Sequence, residues 1–351
     1  MTLRVGINGF GRIGRNVLRA IIESQREDIK VVAINNRSSI QVCAHLLKYD
    51  SIHGRFPFDV STNENIITVD NNNIHVSNEL TIDEIRWDKN NVDLVMECTG
   101  KFNSAKECQK HISAGAKKVL ISAPAKDADL TVVYGVNEQD INSSHSIISN
   151  ASCTTNCLAP IAKVLNDNFG IEEGFMTTVH SYTGDQPTID RDHKDVYRAR
   201  AAAVNMIPTS TGAAQAVGQV LPELNGKLSG VAVRVPTANV SMVDLTFSSK
   251  TKTSAEDINN VVRNATKDKQ LGKVLSYTDE KLVSSDFYHN PYSSIFHTDQ
   301  TFVTGSNLVR VLSWYDNEWG FSNRMSDTAV EISKYCLLYT SDAADERSSV
   351  D

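Results

Sequence analysis

Leu3-Arg4-Val5-Gly6-Ile7-Asn8-Gly9-Phe10-Gly11-Arg12-Ile13-Gly14 is the stretch that decides the fold. Its first six residues form a short apolar strand. The next six are G-x-G-x-x-G, and behind them Ile13, Val17, Leu18, Ile21 and Ile22 fall on one face of a helix. Each glycine has its own reason. Gly9 permits the tight turn, Gly11 lets a pyrophosphate approach the backbone, and Gly14 lets helix and strand pack closely. A second apolar run, 29–34, closes a β-α-β unit. The stretch therefore predicts an α/β Rossmann domain that binds a dinucleotide, NAD or NADP.

The alternation continues outward from this unit. A helix is expected over 39–49, a small hairpin over 66–69 and 74–76, and a strand over 92–97 that ends in Thr99-Gly100. A helix over 104–114 stops at Gly115, and strands over 118–122, 130–133 and 146–149 complete a mostly parallel sheet. Ligands of such sheets lie at the carboxyl ends of the strands, which places Asn36, Thr99 and Ser122 around the cofactor. After residue 151 the pattern changes. The runs 174–180, 228–235, 240–247 and 308–315 are longer and alternate more, and they read as a mostly antiparallel sheet in an α+β domain. Ser254-Ala255-Glu256-Asp257 resembles a capping box. The polar, arginine-rich excursion over 181–200 is too long for an idle connection. The expected domains are thus 1–151 with a last helix over about 318–335, and 152–317.

Composition narrows the function classes. The chain has 351 residues, 40% hydrophobic and 22% charged, which suits two ordinary globular domains. A net charge of −7 offers no footprint for nucleic acid or an anionic membrane. No apolar run approaches a membrane span, and Met1-Thr2-Leu3-Arg4-Val5 enters a strand without a signal segment. The six cysteines lack disulfide-scaffold or zinc-site spacing, so no metal is expected and the protein reads as reduced and cytoplasmic.

The chemistry centres on Ser152-Cys153-Thr154-Thr155-Asn156-Cys157, between an apolar run and a helix-like segment over 158–169. A thiol at a helix N-terminus is expected to have a lowered pKa, with the Ser152 and Thr154 hydroxyls ready to donate to an oxyanion. Pro160 fits poorly, because it should kink that helix or move its start. His180 ends a strand and can take the thiol proton. Arg198, Arg200 and Arg234, with Thr183, supply donors suited to phosphate. Pro208-Thr209-Ser210-Thr211-Gly212-Ala213-Ala214 is a hydroxyl-rich turn opening a helix, a second anion site. Each is unremarkable alone. A nucleophile, a base, a dinucleotide and two phosphate sites together imply phosphate-coupled aldehyde oxidation.

The segments 7–14, 151–160, His180-Ser181-Tyr182-Thr183 and Trp314-Tyr315-Asp316-Asn317-Glu318 closely resemble phosphorylating glyceraldehyde-3-phosphate dehydrogenases, over residues 1 to about 335. The resemblance implies a homotetramer acting on glyceraldehyde 3-phosphate and inorganic phosphate. Cys153 would be the nucleophile and His180 its base. Thr183 and Arg234 would grip the substrate phosphate, and Ser152, Thr154, Arg198, Thr211 and Gly212 the attacking one. Arg12 and Ile13 would meet the pyrophosphate, and Asn317 the nicotinamide amide. Two alternatives stand beside it: a related erythrose-4-phosphate dehydrogenase, and a non-catalytic dinucleotide-binding redox sensor.

The sequence departs from the family pattern in two places. An NAD-specific site needs an acidic residue ending the second strand; here that position is Asn36, followed by Arg37. The long loop carries Arg191-Asp192 where NAD-specific relatives often have Leu-Pro. These changes favour NADP or dual use. From about residue 336 the chain matches nothing in the family and reads as a non-native or disordered tail, expected to add nothing to stability or activity.

Overall fold

The computed structural model describes residues 2–336. The chain divides into two compact units: one comprises residues up to 132, 138–151 and the chain from Ser322, the other 133–137 and 152–321.

The first unit is built on a nine-stranded sheet, in the order Leu130–Thr131, Ile147–Ser149, Lys118–Ile121, Leu94–Glu97, Leu3–Asn8, Ile29–Asn35, Asn72–Ser77, Ile66–Val69, Val60–Asn63. Seven of these strands run parallel; the 66–69 and 60–63 pieces extend the edge as an antiparallel meander. The parallel strands are nearly continuous Val, Ile and Leu because both faces are covered. The helix Ala105–Ser113 shows how: Cys108 and Ile112 pack with Val119, Ile121 and Ile147. Each such side chain contributes about 1.5–3 kcal/mol when fully buried. Sheet order reverses direction between Leu3–Asn8 and Leu94–Glu97, so the carboxyl ends of these two strands form a switch point where a ligand crevice opens.

A buried polar network holds those ends. Trp87 Nε1 donates to His111 Nδ1 at 3.0 Å, so the imidazole carries its proton on Nε2, which faces Glu97 Oε2 at 3.1 Å. Glu97 also accepts from Asn8 Nδ2 at 2.6 Å, from the Thr99 N–H at 2.7 Å and from the Thr99 hydroxyl. Nothing in the local sequence pattern announces this network, because its members lie on four different elements.

The second unit carries an eight-stranded sheet, in the order Ile207–Ser210, Leu228–Val235, Ile171–Ser181, Ser241–Ser249, Leu308–Tyr315, Ser294–His297, Leu275–Thr278, with Phe302–Thr304 paired to Leu308–Tyr315. Most of its ladders are antiparallel. Ile171–Ser181 and Leu228–Val235 run parallel, however, and their register sets His180 beside Arg234. Alternation alone reads the same in either direction, so sequence could not show it. The helix Cys153–Phe169 runs unbroken with Pro160 in its interior and starts five residues earlier than expected. Twelve of its residues are buried, Pro160 among them, and that packing offsets the hydrogen bond proline cannot donate. The capping box forms at Ser254 and Asp257. The last helix, Trp319–Cys336, ends with a buried Cys336, so this residue belongs to the fold rather than to a tail. The rest of the supposed tail lies outside the described residues.

The glycine roles separate into a stability test. A Cβ on Gly14 would lie 2.1 Å from the Gly9 carbonyl oxygen, whereas one on Gly11 meets nothing within 4 Å. Gly14→Ala is expected to cost about 1–3 kcal/mol or more in denaturant unfolding. Gly11→Ala should leave unfolding nearly unchanged and weaken dinucleotide binding instead.

Candidate active site

In the first unit a cavity of about 220 Å³ opens at the switch point, lined by Gly9, Gly11, Asn36, Arg37, Leu80, Thr99, Lys101 and Phe102 among others. Gly9 holds φ +91°, and a Cβ there would strike the Thr99 backbone at 2.7 Å. The open space over Gly11 lies at the start of the helix Arg12–Glu23, where unpaired N–H groups favour an anion. These features fit a dinucleotide.

The other expected cofactor residues are placed as follows. Asn36 Oδ1 accepts from the Phe10 N–H at 3.1 Å and its Nδ2 reaches Cys43 Sγ at 3.3 Å, so the amide braces the glycine turn. Arg37 is exposed on the cavity rim and donates to the Leu80 carbonyl at 3.2 Å. Arg12 Nη1 meets Asp50 Oδ2 at 2.5 Å. Burial raises the Asp50 carboxyl, but the His53 N–H, the Arg12 guanidinium and the Ile52 N–H outweigh it and hold it at about 2. Ser122 lies off the cavity lining, bonded through its N–H to the Glu97 carbonyl at 3.0 Å.

In the second unit Cys153 is the first residue of its helix, and Ser152 is the N-cap. Cys153 Sγ lies 3.8 Å from His180 Nε2. His180 Nδ1 is 2.6 Å from the Ser181 carbonyl oxygen, a contact that requires the proton on Nδ1; Arg234 Nη1, 3.1 Å from the same nitrogen, has its two N–H groups taken by the Ser181 carbonyl and Thr183 Oγ1. The lone pair of Nε2 is therefore the one that faces the thiol. Arg234 Nη1 donates to the Ser181 carbonyl and to Thr183 Oγ1, both at 3.1 Å. Its buried Nε–H has no partner among the described residues. Thr183 in turn donates to Asp185. Asn317 Nδ2 lies 3.2 Å from His180 Nε2.

The electrostatics correct one expectation. Burial pushes the Cys153 thiol up; Arg234, the Thr154 hydroxyl and N–H and the Asn317 amide pull against it without cancelling it. Burial and the charge of Arg234 likewise push His180 well down. Each partner resists charging alone. Proton transfer from thiol to imidazole leaves the pair's net charge unchanged, so the pair acts as a unit. A helix N-terminus by itself does not make this thiol acidic.

The hydroxyls beside the thiol have partners within the protein. Ser152 Oγ accepts from the Thr155 N–H at 3.0 Å as the helix cap and lies 2.7 Å from Thr155 Oγ1. Thr154 Oγ1 is 2.8 Å from the Tyr315 hydroxyl, which also meets Thr178 Oγ1 at 2.9 Å. Arg198 is brought to Thr209 at 3.1 Å and to Asp185 at 3.2 Å, at the strand that leads into Thr211 and the N-cap Gly212. Arg200 is not brought in: it pairs with Asp190 at 2.7 Å in an exposed loop. Tyr315, Thr209 and Ser181 complete the surroundings and lay within quoted motifs without a role of their own. Asp185 and Ser241 were not singled out by sequence, and of these Asp185 carried a signal, as the acid two residues beyond Thr183.

A dinucleotide-binding α/β unit and a thiol–imidazole pair beside an arginine fit a class, the dinucleotide-dependent dehydrogenases. Comparison with known proteins refines it. Residues 3–105 match the family described as glyceraldehyde 3-phosphate dehydrogenase, NAD binding domain, and residues 152–317 match its C-terminal domain. A glyceraldehyde-3-phosphate dehydrogenase of Xanthobacter flavus is 60% identical over 334 residues, covering 95% of this chain and 99% of the relative. Proteins of the same name from Cereibacter sphaeroides and Pseudomonas aeruginosa are 57% and 54% identical, over 95% of this chain and 99% and 98% of theirs. The chain belongs to the glyceraldehyde-3-phosphate dehydrogenase family.

The thiol–imidazole pair makes a prediction that needs no substrate. His180→Asn removes the proton acceptor and leaves the thiol to ionise alone in a buried place. Alkylation of Cys153 by iodoacetamide at neutral pH should slow by about tenfold or more, and its pH profile should move upward. An unchanged rate would show that the imidazole does not act on the thiol.

Proposed function

We propose that the protein catalyses the phosphorylating oxidation of D-glyceraldehyde 3-phosphate to 1,3-bisphosphoglycerate with NAD or NADP. The observation that carries this reading is the Cys153–His180 pair at 3.8 Å, with Arg234 alongside and its buried Nε–H unpartnered. Buried donors are rarely left unpaired, and a phosphate or carboxylate is the ligand such a donor calls for.

Cys153 Sγ adds to the aldehyde carbon, and His180 Nε2 carries the thiol proton to the carbonyl oxygen. His180 then removes the hydroxyl proton of the resulting hemithioacetal as its hydride leaves. The nicotinamide, when bound, supplies the hydride acceptor. Inorganic phosphate attacks the thioester on Cys153, the C–S bond breaks, and the thiolate is reprotonated by His180. Arg234 and Thr183 hold the substrate phosphate; Ser152, Thr154, Arg198, Thr211 and Gly212 hold the attacking one. Asn317 directs its amide to the reacting centre. The cavity at Gly9, Gly11 and Thr99 holds the adenosine and pyrophosphate.

The assembly fitting this reading is a homotetramer. Its support is the apolar surface of the long loop, where Ile189, Val196, Tyr197, Val204 and Met206 are all exposed.

The decisive test is reduction of nicotinamide by glyceraldehyde 3-phosphate with and without inorganic phosphate. Turnover should require phosphate in the wild type and vanish in Cys153→Ser. Sustained turnover with water alone would favour an erythrose-4-phosphate dehydrogenase type of reaction, and no turnover would favour a redox sensor.

Cofactor choice follows from the neutral Asn36 and the cationic Arg37 at the cavity rim, which remove the bar against a 2′-phosphate and favour NADP or dual use. A charge-assisted hydrogen bond is worth roughly 1.5–3 kcal/mol, so Asn36→Asp should swing kcat/KM toward NAD by about ten- to a hundredfold. A wild type already strongly selective for NAD, with Asn36→Asp changing little, would contradict it.

A further inference from the structure

The strands Leu3–Asn8 and Leu94–Glu97 part at the switch point, and the cavity keeps its shape only while their carboxyl ends hold a fixed spacing. Gly9 makes that spacing exacting. Its backbone lies so close to Thr99 that a Cβ would be 2.7 Å from the Thr99 nitrogen, so a small shift of Thr99 moves the glycine turn with it. Glu97 spans the gap. Its Oε1 accepts from the Thr99 N–H at 2.7 Å and from the Thr99 hydroxyl. Its Oε2 accepts from Asn8 Nδ2 at 2.6 Å and faces His111 Nε2 at 3.1 Å.

Groups that can only donate set the direction of these bonds. The indole N–H of Trp87 donates to His111 Nδ1 at 3.0 Å, so Nδ1 carries a lone pair and the ring meets Glu97 as a neutral N–H donor. At the other end the Glu79 backbone N–H donates to Asn35 Oδ1 at 2.9 Å. That turns Asn35 Nδ2 toward Asn8 Oδ1 at 3.0 Å, and so Asn8 Nδ2 toward Glu97. Asn8, Asn35 and Thr99 line the cavity with Gly9 and Gly11. Trp87, His111 and Glu97 stand behind that lining, none more than 1% exposed. Burying a carboxylate is costly even when its lone pairs are filled, so stability alone does not call for one here. A fully satisfied network in this place gives rigidity instead.

We propose that Glu97 and His111 are positioning residues for the dinucleotide. Glu97 clasps the ends of the two strands across the switch point, and His111, fixed by Trp87, holds the carboxylate in place. Both act on the ligand through Asn8, Thr99 and the Gly9 turn. This rests on the reading of the cavity as the dinucleotide site.

The test compares the Kd of NAD and of NADP, by calorimetry on the full chain, in wild type, Glu97→Gln, His111→Phe and His111→Gln. Alkylation of Cys153 by iodoacetamide without dinucleotide is the second readout. Glu97→Gln keeps the shape but turns an NH2 group toward donors, and His111→Phe keeps a ring and removes both of its bonds. Each should weaken both dinucleotides by about tenfold. Alkylation should be unchanged, because Cys153 belongs to the other unit. His111→Gln carries an acceptor and a donor on one flat group and should recover most of the affinity. Where His111→Phe lowers the yield of folded protein, Glu97→Gln carries the test. A lower melting temperature with Kd unmoved, or a His111→Gln that binds no better than His111→Phe, would overturn the positioning role while leaving the cavity as the dinucleotide site. A wild type that binds neither NAD nor NADP would remove the underlying reading and this one with it.

Discussion

His180 gives its Nδ1 proton to the carbonyl of the next residue, Ser181, and the rest of the site depends on that bond. It sets the tautomer, and the tautomer decides that a lone pair and not a proton meets the thiol. The same carbonyl accepts from Arg234, so one oxygen anchors both the base and the cation beside it. The parallel register of the strands bearing His180 and Arg234 makes this possible. Parallel neighbours point their ends the same way, so two side chains at matched positions emerge together at one end of the sheet. Reversing either strand would carry Arg234 away from the base.

Burial is the second constraint, and it works in two directions. It opposes charging Cys153 or His180 singly, yet strengthens every hydrogen bond the pair makes. Arg234 sits in the same buried place with an unpartnered Nε–H. Such a donor is costly without an anion and most favourable with one, which ties substrate binding to the electrostatics of the thiol. Asp185 tempers this by engaging Thr183 and Arg198. The phosphate reading thus rests on a buried guanidinium N–H with no partner among the described residues.

Much of this was legible in the sequence wherever the physics is local. G-x-G-x-x-G after a strand is a steric statement about adjacent atoms, and the glycine environments at Gly9, Gly11 and Gly14 match it. The capping box at Ser254 is equally local. What stayed hidden depends on partners distant in the chain. Ser152 and Thr154 have the expected hydroxyls, but their partners, the cap N–H of Thr155 and the distant Tyr315, are set by the fold. Proline in a helix is a fair warning, overridden at Pro160 by the burial of its neighbours. The Glu97–His111–Trp87 network and the hydrogen bonds among Ser181, Ser241 and Asn317 join residues whose spacing carries no pattern. The thiol's pKa direction follows from the partial burial of Cys153 among neighbours distant in the chain, which no motif encodes.

The central claim is that Cys153 carries the acyl group through the reaction. The most direct measurement mixes the protein with glyceraldehyde 3-phosphate and dinucleotide in the absence of inorganic phosphate, quenches in acid and weighs the intact chain and its peptides. The account predicts one 3-phosphoglyceroyl group per chain, on the peptide bearing Cys153, accompanied by one equivalent of reduced nicotinamide and discharged when phosphate is added. Reduced nicotinamide formed with no adduct on Cys153 would contradict it.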